Sequence, residues 1–232
     1  MVGTGFKIRV GAHSWDLNNK NTITRLDRVS LVYNIDCSTT LISNPLGGGI
    51  YIEVPFEADV GVVNVQIDGA ARSPFLAARD PLEHTSASAW EIEKDHQAPW
   101  ADLEGNHFML QVPAAWLDDI EDPAALMAQW DASMQSILDL FGITETYKTM
   151  LYMQVDRTLR GSANFPGYPM SNYSYNPTNA NSNNSARAFL RGPDDVGYVT
   201  YHELGHQLLF TKFRGEVESV VHLPYVRFLN KV

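Results

Sequence analysis

The sequence predicts an α+β fold, a β-rich first half followed by a mainly helical second half. Three observations carry that expectation. Residues 1 to about 70 hold short runs of alternating polar and apolar residues, separated by Gly, Pro and Asn. The stretch from Asp122 to Gly142 has helical apolar spacing and carries both end signals. A later stretch, beyond Gly192-Pro193-Asp194-Asp195, places His202 and His206 four residues apart, one helical turn from each other.

In the first half, Lys7 to Val10, Val29 to Ile35, Ile50 to Val54 and Val60 to Ile67 all read as strands. Together they suggest a sandwich-like sheet layer. Gly47-Gly48-Gly49 marks a tight turn or a close backbone approach. Asp80 to Gly105, with Pro81 and Pro99, reads as irregular, and Phe108 to Val112 as one further strand.

Asp122 is a helix N-cap with Pro123 at the first helical position. The apolar face runs through Leu126, Met127, Trp130, Met134, Ile137, Leu138 and Phe141, and Gly142 supplies the stop. Met150 to Val155 reads as a strand. Residues 158 to 195 form a long Gly/Pro/Asn/Ser/Tyr-rich loop, of the length that is usually functional or disordered. Within it Phe165 to Pro169 reads as a constrained turn, and Asn179 to Ser185 as a surface insertion. A second long helix then begins, with Asp194 or Asp195 as its cap. Gly205 inside it costs about 1 kcal/mol against alanine, which points to close packing on a neighbouring element. No linker cleanly divides the 232 residues.

Composition narrows the function. A net charge of −10 argues against nucleic-acid or anionic-membrane partners, which need basic patches. No run of eighteen apolar residues exists to span a bilayer. The first ten residues lack the apolar core of a signal peptide. The single Cys37 excludes an intrachain disulfide and a cysteine metal cage, and reads as a small buried hydrophobe in a strand. The Asn172 and Asn183 sequons would matter only in a secreted eukaryotic protein.

Tyr201-His-Glu-Leu-Gly-His206 carries the chemistry. It matches the H-E-x-x-H pattern in which two imidazoles on one helix face share a zinc ion, with Glu203 beside them as general base. A catalytic zinc takes a third protein ligand, and Glu216 and Glu218 are the nearby carboxylates. Gly215 ends the first helix, and Glu216 to Tyr225 reads as a second, antiparallel one. Glu216 would sit in its first turn and point back at the metal, or merely complement the helix dipole. His222 lies about 240° around a helix from Glu216, so it reads as a second layer around the metal or as surface. His13, His84, His96 and His107 have no partner at ligand spacing and read as structural.

Beyond these motifs the chain resembles the M60-like peptidases, the enhancin-related, mucin-degrading gluzincins. The resemblance rests on the order and spacing of several segments. These are Ile8-Arg-Val-Gly-Ala-His-Ser14, Asn44 to Pro55, Ala98 to Gly105, the Asp122 to Gly142 helix with Trp130-Asp131, Gly167-Tyr-Pro169, His202 to His206, and Gly215-Glu-Val217 with Tyr225-Val226. It implies one M60-like domain over 1–232, with a mainly β part over 1–112 and a mainly helical zincin part over 113–232. Family domains extend further at both ends, so this one is expected to be shortened. The resemblance also implies Zn2+ held by His202, His206 and Glu216, a Glu-Val context selecting Glu216 over Glu218. The implied activity is endopeptidase cleavage of O-glycosylated, mucin-like protein by a monomer, without nucleic acid or membrane insertion. That substrate favours a secreted or cell-surface setting, with the cytoplasm as the alternative. The family often has Asn directly after the motif and Asn four residues after the third ligand, where this chain has Gln207 and Val220. The competing expectation is a non-catalytic M60-like binding or regulatory protein, associated with membrane proteins or glycans.

Overall fold

A computed structural model of the chain describes residues 1–11, 30–79, 83–143, 150–155, 163–164, 170–173, 186–208 and 215–230. The fold is α+β and is built on two sheets. In the first, β1 (Lys7–Gly11) lies between β2 (Ser30–Asn34) and β3 (Ile50–Glu53), all antiparallel. Gly48, at φ +112°, fits so closely over β1 that a Cβ there would stand 2.6 Å from Gly11 Cα. The glycine triplet therefore does mark a close backbone approach.

The second sheet is mixed and has seven strands. They are β4 (Phe75–Arg79), β5 (Glu83–His84), β6 (Trp100–Glu104), β7 (Phe108–Pro113), β8 (Leu151–Val155), β9 (Ala163–Asn164) and β10 (Met170–Tyr173). Their spatial order is β5-β4-β6-β7-β8-β10-β9. β7 and β8 are buried along their whole length, which is why they read as continuous apolar runs. Because β8 to β10 follow residue 112, this one sheet joins the β-rich first half to the helical second half.

Two helices accompany this sheet, α1 (Ala87–Glu93) and α2 (Pro123–Phe141). α2 has the expected ends. Asp122 accepts a hydrogen bond from the Ala125 amide at 2.9 Å, and Gly142 adopts φ +66°. Its face packs into the core through Trp130, whose ring stacks between Phe108 and Phe189 at 4.6 and 5.7 Å. The indole N–H donates to the Phe189 carbonyl at 3.0 Å.

Asp131, the next residue, turns the other way and holds the β6–β7 turn. Its carboxylate accepts from the amides of Asn106 (2.6 Å) and His107 (2.8 Å). Gly105 must be glycine here, since a Cβ would meet that carboxylate at 2.5 Å. The Leu-Glu-Gly105 and Trp130-Asp131 segments are thus two halves of one contact.

Several expectations are corrected. Val60 to Ile67 alternates but forms no strand; no neighbour pairs with it among the described residues, and Val62 is 97% exposed. Alternation alone cannot supply a partner. Cys37 is exposed in a turn, its thiol donating to the Thr39 carbonyl at 2.9 Å, not buried in a strand. Asp80 to Gly105, read as irregular, contains β5, α1 and β6, and β4 precedes it unannounced. These pieces are too short for periodicity to register. The Phe165–Pro169 turn and the Asn179–Ser185 tract lie outside the described residues.

The two sheets meet at a cleft of about 680 Å³, bounded by Gly48, Tyr51, Arg72 and Trp100. Tyr51 Oη donates to Asp102 Oδ2 at 3.0 Å, and Gln111 Nε2 donates to Asp102 Oδ1 at 2.9 Å, tying β3 to β6. Burial, and secondarily the charge of Glu104, push the Asp102 carboxyl from 3.8 up to about 7, against the pull of its two hydrogen bonds. A carboxyl with a raised folded-state pKa favours folding when protonated. Its contribution therefore falls as pH rises from about 4 to 7. The urea midpoint of the chain should drop over that window, and Asp102→Asn should remove this part of the slope. Asp131→Ala should cost about 3 kcal/mol in the same measurement, since it strands two amides that a buried carboxylate now satisfies.

Candidate metal centre

The chain beyond Leu190 builds the site from three short helices. α3 (Tyr198–Leu208) carries the H-E-x-x-H motif. It begins after a 3-10 turn over Pro193–Asp195, so Asp194 and Asp195 precede the helix by several residues and do not cap it directly. α4 (Val217–Val220) and α5 (Leu223–Leu229) follow, joined through Val221 and His222.

α3 is fixed by its buried face. Leu204 and Leu208 enter the core, and Tyr201 stacks on Phe228 at 4.5 Å. Tyr201 Oη also donates to the Pro193 carbonyl at 2.9 Å. Gly205 lies directly against the α4–α5 junction, where a Cβ would stand 2.7 Å from the Val221 carbonyl oxygen. This is the close packing that a glycine inside the motif implies.

On the other face the two histidines converge. His202 Nε2 and His206 Nε2 stand 3.2 Å apart, with the rings at 82°. Glu203 is buried next to them, and one donor atom from each of the three residues falls within 4.8 Å of the others. Burial pushes His202 below the ordinary imidazole range; His206 and His222 push the same way, and Glu218 opposes. His202 is thereby held as the neutral base that a metal ligand must be.

The second carboxylate at the centre is Glu218. Its Oε2 lies 3.3 Å from His202 Nε2, and its Oε1 lies 3.9 Å from His206 Nε2. Glu216 occupies the N-cap position of α4, and both glutamate side chains are exposed, that of Glu218 by 76%. Two residues along a helix turn a side chain by roughly 200°, so only one of the two can face α3. In this geometry Glu218 is the glutamate that stands beside the two histidines. His222, four residues beyond Glu218, faces α3 as well, its ring centre 4.8 Å from that of His202. The i, i+4 spacing of Glu218 and His222 was the available signal, hidden because the register was counted from Glu216.

These atoms fit a tetrahedral cation. For ligand bonds of 2.0–2.1 Å, the edge of the tetrahedron is about 3.3 Å. The His202–His206 and His202–Glu218 separations of 3.2 and 3.3 Å match it, and the His206–Glu218 edge, from the other carboxylate oxygen, is longer at 3.9 Å.

Fold and centre together define a metallopeptidase-type domain. The chain belongs to the peptidase M60 family of enhancin and enhancin-like proteins, whose profile matches residues 83–219. The profile of the N-terminal domain of M60-like peptidases matches residues 1–68. Membership implies a metal at this centre.

Among relatives, TRPM8 channel-associated factor 2 of Bos taurus is 28% identical over 167 residues, 72% of this chain and 18% of its own length. TRPM8 channel-associated factor 1 of the same species is 34% identical over 138 residues, 58% of this chain and 14% of its own. The chain thus spans less than a fifth of either. Among solved structures, a conserved Bacillus anthracis protein of unknown function superposes over 97% of this chain and 45% of its own, with a TM-score of 0.68 at 15% identity. The M60 catalytic domain of Clostridium perfringens ZmpC, solved with the sialyl T antigen, covers 99% of this chain and 50% of its own, with a TM-score of 0.56 at 15% identity. At such identities the likeness is one of fold.

Gly205→Ala should separate α3 from the α4–α5 junction. We expect a loss of about 1–3 kcal/mol in urea denaturation, together with weaker zinc binding in a chelator competition. Unchanged zinc affinity would show that this contact does not set the centre.

Proposed function

We propose that the chain is a zinc-dependent endopeptidase acting on O-glycosylated, mucin-like protein. The carrying observation is the convergence of His202, His206 and Glu218 within 3.2 to 3.9 Å of one another, with the buried Glu203 beside them. His202 and His206 would hold zinc through Nε2, and Glu218 through a carboxylate oxygen. Zinc, when bound, acts as a Lewis acid on the scissile carbonyl and acidifies the attacking water.

The chain's own residues supply the proton traffic. Glu203 accepts the proton of the attacking water and passes it to the departing amide nitrogen. No covalent intermediate is needed, and Cys37, exposed in a distant turn of the chain, has no part. The substrate class rests on family resemblance and on two solved structures of similar fold that are complexes with glycan antigens, the sialyl T antigen and the Tn antigen.

A second reading has its own support. The curated relatives are named as channel-associated factors, so a non-catalytic module that docks on a membrane protein is the alternative. Glu203 separates the two, because a module kept only for binding has no chemical use for a general base.

The test is zinc content and mucin cleavage of the purified chain. Stoichiometric zinc in the unmodified chain and in Glu203→Gln, with cleavage lost at least 100-fold in the latter, supports the enzyme. Glu218→Gln should weaken zinc binding 10-fold or more while Glu216→Gln leaves it within about threefold. The reverse pattern returns the ligand role to Glu216, and a chain that takes up no zinc sinks the site.

A further inference from the structure

Two side-chain stripes face each other at the centre. α3 contributes Tyr198, His202 and His206, each four residues from the next and so on one helix face. The opposing segment contributes Glu218 and His222, again four apart. Backbone bonds keep that segment wound: Val220 N–H to Glu216 O at 2.9 Å, and Val226 N–H to His222 O at 3.2 Å.

The His222 ring is inclined by 56° to that of His202, at a centre-to-centre distance of 4.8 Å. The same 4.8 Å separates the rings of His202 and His206. On its other side His222 stands 6.0 Å from the Tyr198 ring. It differs from the two motif histidines in exposure. Their side chains keep 18% and 15% of their surface, whereas His222 is exposed. It therefore flanks the centre on a side open to solvent, where an incoming polypeptide can reach it.

An imidazole offers at least one N–H whether neutral or protonated. We infer that His222 donates a hydrogen bond to the carbonyl oxygen of the scissile amide as that oxygen gains negative charge. The inference rests on the peptidase reading above. In the step it serves, the water oxygen bonds to the carbonyl carbon and the C=O π pair moves onto the carbonyl oxygen. Glu203 holds the water proton. The C–N bond then breaks, the oxygen pair re-forms C=O, and the nitrogen takes the proton from Glu203. His222 keeps its own proton throughout. Donors aimed at developing charge are worth about 100-fold or more in kcat.

Three readouts on the zinc-loaded chain test this: zinc affinity by chelator competition, kcat and KM on a mucin-type substrate, and binding of a phosphinic peptide against its parent peptide. The binding comparison is made in the Glu203→Gln background, where no turnover occurs. His222→Ala should leave zinc affinity within about threefold and KM little changed, and lower kcat about 100-fold. It should weaken the tetrahedral phosphinic peptide by a similar factor but not the planar parent, and His222→Gln, which restores an N–H, should recover part of both. A tenfold or larger loss of zinc makes His222 a ligand and overturns the inference. So does equal weakening of both peptides, which marks a packing role, or no phosphinic binding at all. If the unmodified chain binds zinc but cleaves nothing, the peptidase reading fails while the peptide comparison still decides His222.

Discussion

The contact between Gly205 and the Val221 backbone sets the geometry on which the centre depends. α3 bears the two histidines and the α4–α5 segment bears Glu218 and His222. Neither element can form the site alone. A side chain larger than hydrogen at 205 would collide with the Val221 carbonyl and hold the helices apart. Metal ligation tolerates errors of only about 0.2 Å in bond length. An interhelical distance set by backbone against backbone, with no flexible side chain between, is a suitable way to meet that tolerance.

The rest of the fold holds α3 against the outward pull of its polar face. Tyr201 does most of this locally: its ring lies on Phe228 of α5, and its hydroxyl reaches the Pro193 carbonyl. The same hydroxyl lies 3.4 Å from Ser133 Oγ on α2. α2 in turn is seated on the seven-stranded sheet by Trp130 and tied to the β6–β7 turn by Asp131. A line of well-packed groups thus runs from the sheet through α2 to the back of the motif helix. The Leu-Glu-Gly105 and Trp130-Asp131 segments fall on that line and not at the histidine centre.

What the sequence disclosed, and what it withheld, follows the range of each interaction. α2 was legible from end to end, because caps and apolar period are local properties that agree with one another. β1, β2, β3, β7 and β8 were legible for the same reason, and so were the histidine pair and the tight packing at Gly205. Family membership was legible from the order of the segments. Val60 to Ile67 misled, since its alternation is local but a strand needs a neighbour. β4, β6 and α1 were too brief to show a period. The choice between Glu216 and Glu218 depended on where α4 begins to wind, which no residue in Arg214 to Val217 announces. An offset of two there exchanges the face of every side chain that follows.

Charge supplies the remaining argument for a cation. Glu203 and Glu218 bring two carboxylates to one small volume, and Glu203 is buried. Grouping acids in this way is unfavourable unless positive charge lies among them. His202 is a poor candidate for that charge, because burial and the neighbouring histidines push it toward its neutral form. A divalent cation between His202, His206 and Glu218 would balance both acids at once and satisfy the facing nitrogen lone pairs. The arrangement therefore makes most physical sense as a site whose occupant is a metal, whichever of the two functional readings the chemistry finally supports.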